Sequence, residues 1–106
     1  MQYALLIYEK PGAYDGTSDE ERKAITAEYM AVRDDPRIVG GARLKSAELA
    51  TTVRENLVTD GPFADTKEVF GGYYLFEDDN LDAALEIANR LPVIRMGGAV
   101  EVRPIA

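Results

Sequence analysis

The sequence predicts an α+β fold in which one antiparallel sheet carries two helices on one face. The predicted elements follow the order β-α-β, hairpin, β-α-β along 106 residues, which is typical of a ferredoxin-like domain. The strands predicted at residues 3–8 and 70–77 are apolar on both faces, as in a sheet that is covered on both sides. Since two helices cover only one side, we expect a second copy of the chain to cover the other, in a homodimer.

The first strand and the first helix have clear boundaries in the sequence. The apolar run at residues 3–8 ends in a polar loop. Ser18 stands three residues before Glu21, which is the spacing of a capping box, so a helix is predicted to begin directly after Ser18. An apolar face at helical spacing continues to about residue 33, and Pro36 ends the pattern.

Short strands and tight turns make up the middle of the chain. The pair Gly40-Gly41 interrupts an apolar run and predicts a kink or bulge in a second strand. Asn56 tolerates a positive φ, so Glu55-Asn56 is predicted as a two-residue hairpin turn. The strands are predicted at residues 38–45, 51–54, 57–59 and 70–77.

A second helix and a last strand complete the predicted fold. Asp79 or Asn80 is expected to cap the helix, which ends before Pro92. The last strand is predicted at residues 99–105. The sequence has no internal repeat and no linker, so residues 1–106 are predicted to form one domain.

Composition and charge exclude several classes of function. There are 19 acidic and 12 basic residues, and a net charge of −7 disfavours nucleic acid as a partner. No apolar run approaches the roughly 20 residues of a membrane helix. The chain has no cysteine and no histidine, so thiolate chemistry, a Ser-His-Asp triad and a histidine-based zinc site are impossible. A cytoplasmic protein without a membrane or nucleic-acid partner is predicted.

Residues 58–75 hold the densest group of ionisable and conformationally special residues. This stretch contains D-G-P-F at residues 60–63, T-K-E at 66–68 and G-G-Y-Y at 71–74. With the opening Y-A-L-L-I-Y and the closing V-E-V-R-P, these blocks make the sequence resemble the YCII-related proteins, in the branch named for the D-G-P-F motif. The resemblance covers nearly the whole chain.

The resemblance implies both a fold and a possible kind of site. YCII-related proteins form dimeric α+β barrels from ferredoxin-like protomers, and many of them pair an aspartate with a histidine in a cleft. This chain keeps Asp60 but has no histidine. Relatives of this branch often carry histidine shortly before the last strand, where this chain has Arg95-Met96. Some relatives are encoded beside extracytoplasmic-type sigma factors, which implies a regulatory context.

Asp60 is the candidate catalytic residue. Its carboxylate stands at the end of a strand directly before Gly61-Pro62, and apolar neighbours such as Phe63 would make it a stronger general base. The alternative is a structural role, in which Asp60 accepts backbone N–H bonds that shape the turn.

The candidate ligand-binding residues have structural alternatives as well. Lys67 and Glu68 either contact an anionic ligand or are exposed flanking charges. The arginines either clamp a carboxylate or phosphate or form ion pairs. The tyrosines Tyr8, Tyr73 and Tyr74 either offer hydroxyls to a pocket or pack in the core or dimer interface. The candidates are Arg43, Phe63, Lys67, Glu68, Tyr73 and Arg95. No metal site is predicted, because helix ends and caps explain the paired aspartates, and no cofactor motif is present.

The leading functional hypothesis is a small dimeric protein that binds a small organic ligand near the D-G-P-F turn. Any catalysis would be cofactor-independent proton transfer or hydrolysis with Asp60 as the acid/base. The alternative is a regulatory module that contacts a protein partner, for example a sigma factor. A structural dimer without a working site is the third interpretation, because the histidine is missing.

Overall fold

The computed structural model describes residues 1–63 and 67–106. This part of the chain forms two α-helices, a short 3₁₀ helix and six strands. The elements are β1 (Gln2–Glu9), α1 (Asp19–Arg33), β2 (Ile38–Arg43), the 3₁₀ helix (Ala47–Leu49), β3 (Thr51–Arg54), β4 (Leu57–Asp60), β5 (Val69–Glu77), α2 (Leu81–Asn89) and β6 (Ala99–Pro104).

Four strands form the main sheet in the order β2-β5-β1-β6, and each strand is antiparallel to its neighbours. Strands β1 and β2 are thus parallel to each other, with α1 connecting them and β5 inserted between them. This split β-α-β arrangement, repeated through α2, is the ferredoxin-like fold. The predicted fold class is confirmed.

Both helices begin at the residues that the sequence indicates. The Ser18 side chain accepts a hydrogen bond from the Glu21 backbone N–H at 3.1 Å, which satisfies one of the free donors at the start of α1. Of the two candidates for the cap of α2, Asn80 is the capping residue, and its side chain accepts from the Asp82 N–H at 2.9 Å.

The core lies between the helices and one face of the sheet. Phe76 and Leu5 are fully buried there. The cluster comprises Tyr3, Leu5, Ile7, Val32, Phe76, Ala84, Ile87, Leu91 and Val93. Because a leucine to alanine change in such a core costs about 2–5 kcal/mol, this face holds the domain together.

The opposite face of the sheet, which we call the open face, is covered by neither α-helix of the described residues. Strand register places Leu6 beside Tyr73 and Ala4 beside Leu75 on this face. These side chains are half-buried within the single chain. The two apolar faces of β1 and β5 predicted from the sequence are therefore present.

A β-bulge changes the face on which Phe70 lies. Strict alternation would put Phe70 on the helix side with Tyr74 and Phe76, but the register shifts between Ile7 and Tyr8. Phe70 pairs with Tyr8 instead, and the two ring centroids are 5.5 Å apart. Strict alternation along β5 therefore gives the wrong face for Phe70.

Strands β3 and β4 form a hairpin separate from the main sheet. Asn56 in its turn has φ +59°, as predicted for a residue that tolerates the left-handed region. Val53 and Val58 pair across the hairpin and are 74% and 65% exposed. The hairpin thus presents an apolar surface that the described residues leave uncovered.

Over residues 1–63 and 67–106, neither α-helix has the length and apolar character needed to cross a membrane.

Candidate functional site

A cavity of about 210 Å³ lies between helix α1 and the ends of strands β1, β2 and β5. We call it the α1 cavity. An apolar cavity of about 150 Å³ binds benzene, so this volume accommodates a molecule with one ring. The lining residues with functional groups are Glu9, Tyr14, Tyr29, Arg33, Arg43 and Tyr74.

Glu9 supplies the carboxylate of the α1 cavity. It is the last residue of β1 and continues the alternation of Leu5 and Ile7, so it faces the helix side. A Cβ placed on Gly71 would lie 2.7 Å from the Glu9 Oε1 atom. Because Gly71 is the extra residue of the β-bulge and has no side chain, the half-buried carboxylate fits against the strand.

Three tyrosines line the α1 cavity together with this carboxylate. The Tyr74 hydroxyl donates to the Tyr29 carbonyl oxygen at 2.9 Å and ties β5 to α1. The Tyr29 hydroxyl is buried and makes no hydrogen bond of normal geometry within the described part of the chain. Burial raises the pKa of Tyr14, Tyr29 and Tyr74, and the charge of Glu9 adds to this effect at Tyr14 and Tyr29. All three are therefore neutral phenols at pH 7.

Two arginines bring positive charge to the α1 cavity. Arg33 lies in the last turn of α1, where a cation also complements the negative end of the helix dipole. Arg43 is the last residue of β2. Both side chains are exposed, and neither forms an ion pair with another residue of 1–63 or 67–106.

The D-G-P-F turn lies on the β3–β4 hairpin and does not line the α1 cavity. Asp60 ends β4 opposite Thr51 and is exposed. The turn is held by the Gly61 N–H, which donates to the Ala50 carbonyl at 2.7 Å, and by the Thr52 hydroxyl, which donates to the Gly61 carbonyl at 2.8 Å.

Phe63 does not desolvate Asp60. Its ring is 67% exposed and packs under the Arg54 guanidinium, whose Cζ atom lies 4.2 Å from the ring centroid. This cation–π contact orients Phe63 toward the hairpin. The apolar surroundings expected around Asp60 are thus missing from the described residues, and Asp60 is a solvated carboxylate.

The remaining sequence-predicted residues lie in three different places. Lys67 and Glu68 are exposed between the D-G-P-F turn and β5, and residues 64–66 of the same motif lie outside the described residues. Arg95 forms an ion pair with Glu28 of α1. Tyr73 pairs with Leu6, so its side chain points to the open face. The residue nevertheless belongs to the lining of the α1 cavity.

Of the predicted candidates for ligand binding, the structure therefore brings Arg43 and Tyr73 to the α1 cavity, and Tyr74, which was also considered as a source of a hydroxyl, lines it too. Four residues of the lining were not singled out from the sequence: Glu9, Tyr14, Tyr29 and Arg33. For Glu9 a signal existed, since a charged residue continues the core-facing alternation of an otherwise apolar strand. For Arg33, a position at the end of a helix already explains a cation, so no signal in the sequence pointed to the cavity.

No group of three or more metal-ligating side chains comes together among the residues that the structure describes.

Fold and cavity together define a ferredoxin-like α+β domain with a pocket of the size of a single-ring molecule between helix and sheet. The YCII-related domain model matches residues 1–106. The chain is 36% identical, over 115 aligned positions, to an uncharacterised protein of Rhizobium meliloti (strain 1021), with 100% of this chain and 93% of that protein covered. The chain belongs to the YCII-related family.

A solved structure shows the same fold at low sequence identity. It is the 5-chloro-2-hydroxyhydroquinone dehydrochlorinase (TftG) from Burkholderia phenoliruptrix AC1100, in complex with 2,5-dihydroxybenzoquinone. The TM-score is 0.61 and the identity 16%, over 100% of this chain and 94% of the enzyme. At this identity the likeness establishes the fold alone.

Proposed function

We propose that this protein binds a small organic molecule with one ring in the α1 cavity. The observation that carries the proposal is the composition of the lining, in which apolar and aromatic walls surround a few convergent polar groups. Such a combination is the usual form of a small-molecule site. The benzoquinone named with the dehydrochlorinase is a ligand of the same size class in a protein of the same fold.

The proposed chemistry is cofactor-independent proton transfer by Glu9. Histidine and cysteine are absent, and three tyrosines of the lining are neutral phenols at pH 7, so Glu9 is the candidate base of the cavity. Glu9 is half-buried and lies in the lining of a cavity, whereas Asp60 is exposed on the hairpin. Asp60 is the second candidate, and it would act on a ligand bound at the D-G-P-F turn.

Amide chemical-shift mapping by NMR with a library of single-ring compounds tests the site. Binding in the α1 cavity predicts shifts confined to the second half of α1 and to the adjoining ends of β2 and β5. Shifts that cluster at residues 50–63 would move the site to the D-G-P-F turn. A library without any binder would count against a ligand-binding function.

We also propose that two copies of the chain pack through their open faces. Leu6, Tyr73 and Leu75 are apolar, lie on one surface and are only half-buried in the single chain. Sedimentation should show a dimer at micromolar concentration, and Leu75→Glu should convert it to a monomer. The control Leu85→Glu, at a 47% exposed position on α2, should leave the dimer intact. A monomeric wild type would contradict the proposal.

A second candidate function is a regulatory module that contacts a protein partner such as an extracytoplasmic-type sigma factor. The exposed apolar pair Val53 and Val58 on the β3–β4 hairpin favours it. Co-purification with a co-expressed sigma factor should then be lost in the double variant Val53→Ser/Val58→Ser. Equal recovery of the sigma factor with wild type and with the double variant would contradict binding through the hairpin.

A further inference from the structure

The arginines of the α1 cavity differ from most other arginines of the chain in having no partner among residues 1–63 and 67–106. The chain contains eight arginines among 31 charged residues, of which 19 are acidic. Within the part that the structure describes, Arg37, Arg95 and Arg103 pair with carboxylates. Arg22 donates to oxygens of residues 14 and 17, and Arg54 covers the Phe63 ring. Within the same residues, Arg33, Arg43 and Arg90 form no ion pair, side-chain hydrogen bond or cation–π contact. Two of these three arginines, Arg33 and Arg43, line the cavity.

These two arginines make the cavity locally positive in a negative protein. The charged lining residues are Arg33, Arg43 and Glu9, which leaves a formal charge of +1, while the whole chain carries −7. Both guanidiniums lie close enough to act on tyrosines of the lining. Burial raises the pKa of Tyr74 and of Tyr14, and Arg33 and Arg43, respectively, partly offset this increase. The positive charge is therefore directed at the cavity from α1 and from β2.

We propose that the ligand of the α1 cavity carries one anionic planar group, such as a carboxylate, on its ring, and that Arg33 and Arg43 bind this group. The proposal rests on the proposed function, since it specifies the ligand of the same site. Guanidiniums match a carboxylate in geometry and form strong charge-assisted hydrogen bonds with it.

Glu9 sets the number of charges that the cavity accepts. One carboxylate on the ligand balances the formal charge of +1, and the ring then contacts the aromatic lining of the cavity. A second carboxylate on the ligand would add a charge of the same sign as that of Glu9 within a small, partly dry space. The ligand is therefore a mono-anion, and a dianion of similar size is rejected.

Three probes of similar size separate charge from shape. Calorimetric titration is performed with benzoate, with benzamide as its neutral analogue and with phthalate as the dianion. We expect benzoate to bind most tightly, and Arg33→Gln and Arg43→Gln each to weaken it about 10-fold, as for loss of a charged hydrogen bond. The controls Lys23→Gln on α1 and Arg90→Gln, both away from the cavity, should leave benzoate affinity unchanged.

The outcomes distinguish failure of this inference from failure of the proposed function. Equal binding of benzoate and benzamide, or equal losses in the cavity and control variants, would overturn the anionic ligand while leaving the cavity as a binding site. Binding of neutral single-ring compounds alone would do the same. If no single-ring compound binds, charged or neutral, both the proposed function and this inference fall.

Discussion

Tyr29 and Tyr74 form a matched pair whose hydroxyls differ in hydrogen bonding, and the difference predicts opposite changes in stability. Tyr74→Phe removes the bond that the Tyr74 hydroxyl donates to the Tyr29 carbonyl at 2.9 Å. We expect a loss of about 1 kcal/mol in the free energy of unfolding, the usual net value of one hydrogen bond. The ring itself stays in place in the variant, so packing contributes little to the change.

Tyr29→Phe removes a hydroxyl that is buried without a partner of normal geometry, although Tyr14 and Val93 lie near it. An unsatisfied buried polar group costs about 1–3 kcal/mol, and part of this cost disappears with the hydroxyl. We expect Tyr29→Phe to raise the free energy of unfolding by up to about 1 kcal/mol.

Chemical denaturation of wild type and both variants, at one protein concentration, measures these changes. In thermal unfolding, 1 kcal/mol corresponds to a shift of roughly 4–8 °C for a domain of about this size. A loss of stability in Tyr29→Phe as large as that in Tyr74→Phe would refute the argument, because it would show that the Tyr29 hydroxyl has a partner.

The pH dependence provides a second measure of the same pair. Burial raises the pKa of Tyr29 and Tyr74 in the folded state above the ordinary value of 10.0. Their contribution to stability is therefore complete below pH 10 and decreases as the pH rises toward the folded-state pKa. Each phenylalanine variant should lose stability less steeply than wild type above pH 10. Identical slopes in all three proteins would show that these phenols are not buried.

Two further substitutions test other parts of the structure. Hydrogen bonding to Arg37 lowers the pKa of Asp35 to about 2, so its contribution is present above pH 3.8 and lost as the pH falls through about 2. Solvent screens this pair, because the Arg37 side chain is 40% exposed, so its contribution to the free energy of unfolding is about 1 kcal/mol. In chemical denaturation, Asp35→Asn should be less stable than wild type by this amount at pH 7 and equally stable at pH 2. Gly71→Ala should displace the Glu9 side chain and cost about 1 kcal/mol in the free energy of unfolding. In the double variant Glu9→Ala/Gly71→Ala this stability should be recovered, as measured by calorimetry, because the displaced side chain is absent. Equal loss in the single and double variants would contradict the contact.

Local signals in the sequence were sufficient for most of the fold. Ser18, Asn56 and Pro36 act through their own backbone preferences or through groups a few residues away, so the helix start, the hairpin turn and the helix end could be read directly. The alternation in β1 and β5 correctly identified two apolar faces, because side-chain direction follows from strand geometry alone.

The site could be predicted only in part, because it depends on contacts between distant segments. Arg43 reaches the cavity, but the cavity itself exists only where α1 crosses the ends of β2 and β5. Glu9 becomes part of it because the bulge at Gly71 leaves space for a carboxylate. The same bulge moved Phe70 to the open face. The glycine pair 71–72 is the strongest local signal in the sequence for either effect.

The D-G-P-F motif illustrates a different limit of sequence reasoning. Its density of ionisable residues made Asp60 the leading candidate, yet density does not determine burial. The structure places Asp60 on an exposed hairpin whose apolar residues face solvent in the single chain. A ligand or partner at the turn therefore stays a prediction, and the α1 cavity is the better-supported location.

The most direct measurement is a thermal-shift comparison of wild type, Thr26→Trp and Asp60→Ala with the same single-ring library. Thr26 lies on α1 in the lining of the cavity, and an indole ring there would fill much of the space for a ligand. A compound at 100 times its Kd should stabilise wild type by about 2.7 kcal/mol. Binding in the α1 cavity predicts that this stabilisation disappears in Thr26→Trp and persists in Asp60→Ala. Stabilisation that persists in Thr26→Trp and disappears in Asp60→Ala would place the site at the D-G-P-F turn and contradict the cavity as the functional site.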